Sequence, residues 1–144
     1  MNNLKTKILL AEKDSGTIQF IKDILSEAGY EVGTVVETAI DAITKTEIKK
    51  PDIILLDVLL NGSLNGIEAA KIISYKYKIP IVFIVNSDSR KLIDQDYKFK
   101  FSKSVLLPAD RNKLVGIIEN CLSVHNFTNT SVQDNLASSS KYSL

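Results

Sequence analysis

Pro51-Asp52-Ile53-Ile54-Leu55-Leu56-Asp57 is the stretch that decides the fold, because it sets four consecutive aliphatic residues between two aspartates. A run this short, bounded by a proline and by the glycines of the next loop, predicts a strand buried on both faces. Open α/β sheets bind their ligands at the carboxyl ends of such strands, where Asp57 would lie. The next predicted helix begins too far along the chain for Asp57 to cap it, so we interpret Asp57 as functional.

Short aliphatic runs alternate with helical patterns on both sides of this strand. We predict strands at residues 8–11, 31–36, 53–56, 81–85 and 104–107, each followed by a helix, although residues 87–96 are polar and only weakly periodic. This alternation predicts a parallel sheet with helices on both faces. We therefore predict a flavodoxin-like, doubly wound α/β fold. Its strand order should be 2-1-3-4-5, because strands two and five are the least apolar and suit the edges.

Composition excludes several classes of protein. The chain has 144 residues, a formal net charge of +1, one cysteine and one histidine. A zinc site of the usual His/Cys kind and an internal disulfide are therefore excluded. No apolar run approaches the ~20 residues of a membrane span, and the N-terminus lacks the apolar core of a signal peptide. We expect a cytoplasmic protein with no membrane partner.

The last twenty residues differ in composition from the rest of the chain. Residues 125–144 are rich in Ser, Asn and Thr and show no periodicity, so we expect a disordered tail after a domain of residues 1–124. The tail is too short to hold a second folded domain. We therefore expect the domain to stand alone.

Four segments in order resemble the response-regulator receiver domains of two-component signalling, over about residues 5–124. These segments are Ile8-Leu9-Leu10-Ala11-Glu12, Asp52-Ile53-Ile54-Leu55-Leu56-Asp57, Asn65-Gly66-Ile67-Glu68-Ala69-Ala70 and Ile79-Pro80-Ile81-Val82. The resemblance implies that Asp57 accepts a phosphoryl group from a histidine kinase or a phosphotransfer protein, and that the domain then signals to a downstream target protein. It implies no enzymatic turnover. It also implies a Mg²⁺ ion held by Glu12, Asp57 and the backbone carbonyl of Leu59, which would neutralise charge on the transferred group.

Four positions depart from the pattern of that family. The family has two adjacent acids after strand one, where this chain reads Glu12-Lys13. A hydroxyl residue after strand four is replaced by Val85, and a lysine before the last proline is replaced by Leu107. The aromatic residue three positions before that lysine is matched by Ser104. The replacements at Val85 and Leu107 remove groups that contact the phosphoryl group in the family, and Lys13 stands in place of one metal ligand.

Lys13 puts a positive charge where the family holds its metal ion. We hypothesise that its ammonium pairs with Asp57 and Glu12 and partly replaces Mg²⁺, because two carboxylates without a cation would raise the pKa of one. The alternative is that Lys13 extends into solvent. Asp14 could supply the missing metal ligand, but we expect it to cap the first helix instead.

Two other functions stay open beside phosphoryl acceptance. The departures are also compatible with a degenerate pseudo-receiver that acts as a phosphorylation-independent binding module. A flavin-binding electron carrier of the same fold is a remote alternative, because Ser15-Gly16-Thr17 follows strand one. Acidic groups at Glu12 and Asp14 would repel a flavin phosphate, and the chain has no tryptophan to stack on the flavin.

Lysines interleaved with aromatic residues precede the predicted strands, and a parallel sheet would gather them opposite Asp57. Such a face could bind an acidic partner or nucleic acid. Lysines also solvate turns, and we expect the aromatic side chains to pack inward or to line an edge, so nucleic acid is not the partner we predict. This basic face comprises Lys5, Lys7, Lys49, Lys50, Lys76, Lys78, Lys98, Lys100 and Lys103.

Overall fold

Five parallel strands alternate with five helices in the computed structural model, which describes residues 5–96, 99, 103–107 and 109–135. The elements are β1 (Ile8–Ala11), α1 (Ser15–Glu27), β2 (Val32–Val36), α2 (Ala39–Lys49), β3 (Ile53–Asp57), α3 (Gly66–Lys76), β4 (Ile81–Val85), α4 (Ser87–Asp94), β5 (Ser104–Leu106) and α5 (Arg111–Asn135). The strand order is β2-β1-β3-β4-β5, and every neighbouring pair is parallel. The predicted doubly wound fold and its strand order are confirmed.

Each helix begins at a polar side chain that accepts a hydrogen bond from a backbone N–H of the first turn. These side chains belong to Asp14, Thr38, Asn65, Asn86 and Asp110. The cap explains why α4 forms although its sequence is polar and weakly periodic. Asn86 and Ser89 exchange hydrogen bonds in a reciprocal capping arrangement, which satisfies amides that would otherwise be unpaired.

The central strands divide the core into two layers. Alternate residues of β3 point to opposite faces of the sheet, so Ile54 and Leu56 pack on one side and Ile53 and Leu55 on the other. The first layer is completed by buried residues of α2, α3 and α4, and the second by buried residues of α1 and α5. Because both faces are covered, β1 and β3 consist of aliphatic residues almost throughout, as the sequence predicted.

The end of the chain differs from the sequence prediction. Helix α5 continues through Asn135, whereas an unstructured tail was expected from residue 125 onward. No proline or glycine lies between residues 124 and 135, so a helix that packing has already nucleated can propagate into a polar segment. Residues 136–144, the remainder of the predicted tail, lie outside the described residues. No helix in the described part of the chain has the length and apolar character needed to cross a membrane.

Candidate functional site

Asp57 is the last residue of β3, and its side chain is half-buried at the carboxyl edge of the sheet. Strand β1 lies beside β3 with Ala11 opposite Leu56, so the residue that follows β1 comes level with Asp57. That residue is Glu12. The parallel register thus brings together two carboxylates that are forty-five residues apart in the chain.

The Glu12 carboxyl group is 3% exposed and forms a hydrogen bond with the Asp57 carboxyl group. Its Oε2 accepts hydrogen bonds from the backbone N–H groups of Lys13 (2.9 Å) and Asp14 (3.3 Å). Burial, the hydrogen bond to Asp57 and the charge of Asp57 raise the pKa of Glu12 to about 8, and the two backbone N–H groups only partly oppose this rise. Without a bound cation, the carboxylate pair therefore retains a proton at neutral pH.

Lys13 contacts a different group of the site from the two carboxylates that we hypothesised. Its ammonium donates a hydrogen bond to the backbone carbonyl of Leu59, and Leu59 N–H in turn donates to Asp57 Oδ1 over 3.0 Å. No ion pair within the described part of the chain joins Lys13 to Asp57 or Glu12. The hypothesised pairing is therefore wrong; the side chain is exposed, as the alternative predicted, but its ammonium is hydrogen-bonded to a backbone carbonyl. The physical reason is that Glu12 is buried against Asp57, whereas the exposed Lys13 side chain reaches across to the loop after β3.

The oxygen donors at this edge fit a magnesium ion. Mg²⁺ is bound by few carboxylates and other oxygen ligands, and Glu12, Asp57 and the Leu59 carbonyl offer such a set. Across the described residues, no group of three or more His, Cys, Asp or Glu side chains could hold a metal, so a backbone carbonyl is needed as a further protein donor. One member of this set, the Leu59 carbonyl, accepts a hydrogen bond from the Lys13 ammonium.

Asp14 is the N-cap of α1, which confirms the capping role expected of it. Its Oδ2 accepts hydrogen bonds from Thr17 N (2.8 Å) and from Thr17 Oγ1 (2.9 Å). These hydrogen bonds hold the pKa of Asp14 below its usual value. They also occupy the donors of Thr17 that a flavin phosphate would have used, so the flavin alternative gains no support here.

The other atypical positions present no hydroxyl or cationic group where the family has one. Val85 is 2% exposed in the core, and its carbonyl accepts a hydrogen bond from Leu107 N over 2.8 Å. The Leu107 side chain lines a shallow apolar crevice of about 360 Å³ together with Phe20 of α1. Ser104 is the half-buried first residue of β5. Val85, Leu107 and Ser104 therefore add no charged group to the carboxyl edge of the sheet.

Gly66 positions Asp57, a role that the sequence interpretation did not assign to it. A Cβ atom on Gly66 would lie 2.2 Å from the Asp57 carbonyl oxygen and 2.9 Å from the Cα atom of Val58. Gly66 N–H donates to the Val58 carbonyl over 2.8 Å. The start of α3 therefore packs directly on the backbone that carries Asp57. A glycine immediately after the helix-capping Asn65 was the available signal.

The basic face is exposed in the part of the chain that the structure describes. Its seven described lysines are all exposed, and none forms an ion pair within that part. The aromatic residues divide: Phe99 packs edge-on against Phe83 at 5.5 Å, whereas Tyr75 is 88% exposed. Phe99 therefore packs inward as expected, whereas Tyr75 does not. Residues 97, 98, 100 and 101 lie outside the described residues. What this face binds stays a prediction.

The sequence is similar to those of known regulators. Residues 8–119 match the family model described as "Response regulator receiver domain". The transcriptional regulatory protein PdtaR of Mycobacterium tuberculosis is 31% identical over 111 residues, which cover 72% of this chain and 54% of PdtaR. The alkaline phosphatase synthesis transcriptional regulatory protein PhoP of Bacillus subtilis is 33% identical over 86 residues, covering 59% of this chain and 35% of PhoP. The chain thus spans about half or less of the length of these curated relatives.

Solved structures share the fold. The signal receiver domain of a modulated diguanylate cyclase from Desulfovibrio desulfuricans G20 superposes with a TM-score of 0.72 at 23% identity, covering 85% of this chain and 97% of that one. The receiver domain of the PhyR response regulator from Erythrobacter litoralis gives a TM-score of 0.72 at 20% identity, with 81% and 89% covered. At these identities, the likeness supports the fold alone.

Proposed function

The chain belongs to the family of response regulator receiver domains, and from this membership we propose that Asp57 accepts a phosphoryl group in a phosphorelay. The observation that carries the proposal is the position of Asp57 at the carboxyl end of β3, half-buried and in contact with Glu12. This arrangement supplies a nucleophilic carboxylate together with oxygen donors for a cation.

The residues of the chain have separate roles in the transfer. The Asp57 carboxylate attacks the phosphorus atom of a phosphohistidine on the partner, forming an O–P bond while the N–P bond breaks and its electron pair stays with the imidazole. Leu59 N–H orients the nucleophile through Asp57 Oδ1. The proton that the buried Glu12 carboxyl retains must leave before Glu12 can bind a cation as a carboxylate. Mg²⁺ bound by Glu12, Asp57 and the Leu59 carbonyl would neutralise charge on the transferred group.

Partners follow from the same proposal. A histidine kinase or a phosphotransfer protein would donate the phosphoryl group, and a downstream target protein would read the modified domain. The domain would catalyse no turnover of a small-molecule substrate. The proposal includes a cytoplasmic location, because the protein that donates the phosphoryl group would have to meet Asp57 in the same compartment.

The second candidate is a pseudo-receiver that binds a partner without phosphorylation. The buried Val85 and the apolar Leu107 favour it, because neither can contact a phosphoryl group through a hydroxyl or an ammonium. The Lys13 ammonium on Leu59 favours it as well, since it occupies one of the cation donors. The intact carboxylate pair favours phosphoryl acceptance, and we give that observation more weight.

Intact-mass spectrometry after incubation with a small-molecule phosphodonor and Mg²⁺ separates the two candidates. We expect the natural protein to gain one phosphoryl group and Asp57→Asn to gain none. Asp52→Asn is the matched control, because Asp52 is an exposed aspartate near the other end of the same strand. Labelling of natural protein and Asp52→Asn alone supports phosphoryl acceptance. Failure to label any of the three, under conditions that label an ordinary receiver, supports the binding module.

A further inference from the structure

Lys13 contacts two of the three groups that would hold a cation. Its backbone N–H donates to Glu12 Oε2 over 2.9 Å, and its ammonium donates to the Leu59 carbonyl. The residue therefore connects the end of β1 to the loop after β3. Both contacts lie next to Asp57, because Leu59 N–H is itself bonded to Asp57 Oδ1.

We propose that Lys13 is a tethered cation that excludes Mg²⁺ from the Leu59 carbonyl, so that the ammonium and the metal ion occupy this site alternately. The inference rests on the proposed function, because it concerns the cation that would assist phosphoryl transfer to Asp57.

The chemistry of the two cations favours the alternation. A carbonyl oxygen that accepts a charge-assisted hydrogen bond from an ammonium is a poorer inner ligand of Mg²⁺, because the ammonium withdraws electron density and crowds the octahedral geometry that Mg²⁺ demands. The two positive charges would also repel each other within a few ångströms. Lys13 is free to leave, because its side chain is exposed and forms no ion pair in the described part of the chain.

The ammonium competes with the metal ion without replacing it. It contacts the neutral carbonyl and pairs with neither carboxylate, so Glu12 and Asp57 still face each other without a cation between them. Mg²⁺ binding must therefore displace the Lys13–Leu59 hydrogen bond, and its affinity is reduced by the free energy of that bond.

Mg²⁺ titration of the full chain by isothermal calorimetry, without any phosphodonor, tests the proposal. We expect Lys13→Met, which keeps the stem and removes the charge, to bind Mg²⁺ about tenfold more tightly than the natural protein, which corresponds to about 1.4 kcal/mol. Lys13→Asp should bind more tightly still, because it adds a carboxylate. Lys22→Met is the matched control: Lys22 is an exposed lysine of α1 that lines a crevice away from Asp57, and its replacement should change the affinity less than about twofold.

The carbonyl carbon resonance of Leu59 provides a second readout that does not depend on Mg²⁺. It should shift in metal-free Lys13→Met relative to the natural protein, because the hydrogen bond from the ammonium is lost. It should shift again when Mg²⁺ is added. A shift confined to residues distant from Leu59 would overturn the proposal, as would Mg²⁺ affinities that agree within about twofold between natural protein and Lys13→Met. Absence of Mg²⁺ binding in every variant would also overturn it.

The outcome is distinguishable from that of the proposed function. If Lys13→Met binds Mg²⁺ more tightly but Asp57 cannot be phosphorylated in any variant, the tethered cation stands and phosphoryl acceptance fails. If Asp57 is phosphorylated and Mg²⁺ affinity is independent of Lys13, phosphoryl acceptance stands and the tethered cation fails.

Discussion

Replacing Glu12 by glutamine is expected to stabilise the domain at alkaline pH and to change its stability little at acid pH. In the natural protein, the buried Glu12 carboxyl is hydrogen-bonded to Asp57, and one of the two groups must carry a proton for that bond to form. A glutamine at this position can donate to Asp57 from its amide nitrogen at any pH. Its amide oxygen can still accept from the Lys13 N–H, as Glu12 Oε2 does.

The magnitude follows from the shift of the Glu12 pKa from 4.5 to about 8. Because the folded-state pKa lies above the unfolded one, the folded state binds the proton more tightly, and the associated stability is fully present below pH 4.5. It is lost as the pH rises from 4.5 to about 8. One pKa unit corresponds to 1.36 kcal/mol, and relaxation of the loop will reduce the full effect. We expect the natural protein to lose about 2–4 kcal/mol over this interval and Glu12→Gln to lose none of it.

Urea unfolding at about pH 5 and about pH 9, with a chelator present, measures this difference. Glu31→Gln serves as the control, because Glu31 is an exposed acid that precedes β2 and makes no contact with Asp57. The free energies of unfolding of the natural protein and Glu12→Gln should diverge with rising pH, whereas those of the natural protein and Glu31→Gln should stay parallel. Saturating Mg²⁺ should restore much of the lost stability to the natural protein at alkaline pH. A constant difference between Glu12→Gln and natural protein across this pH range would refute the reasoning.

Three further predictions concern other parts of the molecule. Gly66→Ala should lower the free energy of unfolding by about 3 kcal/mol or more, because the new Cβ meets the Asp57 carbonyl. Gly116→Ala, on an open face of α5, should raise the free energy of unfolding by about 0.5–1 kcal/mol. Equal effects of the two substitutions in urea unfolding would contradict this. Deletion of residues 125–144 should reduce the helical circular dichroism signal but change the free energy of unfolding by less than about 0.5 kcal/mol, because Cys121 is the last buried residue of α5 among those whose burial is described. A larger loss would show that the segment packs on the domain. The basic face should bind duplex DNA no more tightly than about 10⁻⁴ M at physiological salt in a fluorescence anisotropy assay, and micromolar binding would contradict the prediction.

The sequence was sufficient for the fold because its three central strands are buried on both faces. Four aliphatic residues in a row at 53–56 cannot be accommodated on a solvated sheet, and their alternation with helical patterns leaves few topologies. The same register argument placed Glu12 beside Asp57, since both directly follow neighbouring strands. The strand order, the neighbouring positions of Glu12 and Asp57, and the helix cap at Asp14 could thus be predicted from the sequence.

Several details could not be predicted from the sequence, because they depend on which neighbouring groups come into contact when the chain is folded. Coulomb attraction alone suggested that Lys13 would pair with a carboxylate, yet burial of Glu12 against Asp57 leaves the Leu59 carbonyl as the acceptor within reach. The extension of α5 was missed because composition measures the tendency of an isolated segment, whereas this segment continues a helix that packing has already formed. The close contact between Gly66 and the Asp57 backbone needs coordinates to be recognised.

Locating the phosphoryl group on the chain tests the central claim most directly. An aspartyl phosphate is an acyl phosphate, which borohydride reduces to homoserine, so peptide mapping by mass spectrometry after phosphodonor and borohydride treatment identifies the acceptor. Our account predicts homoserine at position 57, none at Asp52 or Asp14, and none without the phosphodonor. Homoserine at another aspartate, or its absence from position 57 in a protein whose mass shows that it has been phosphorylated, would contradict the assignment of Asp57 as the phosphoacceptor.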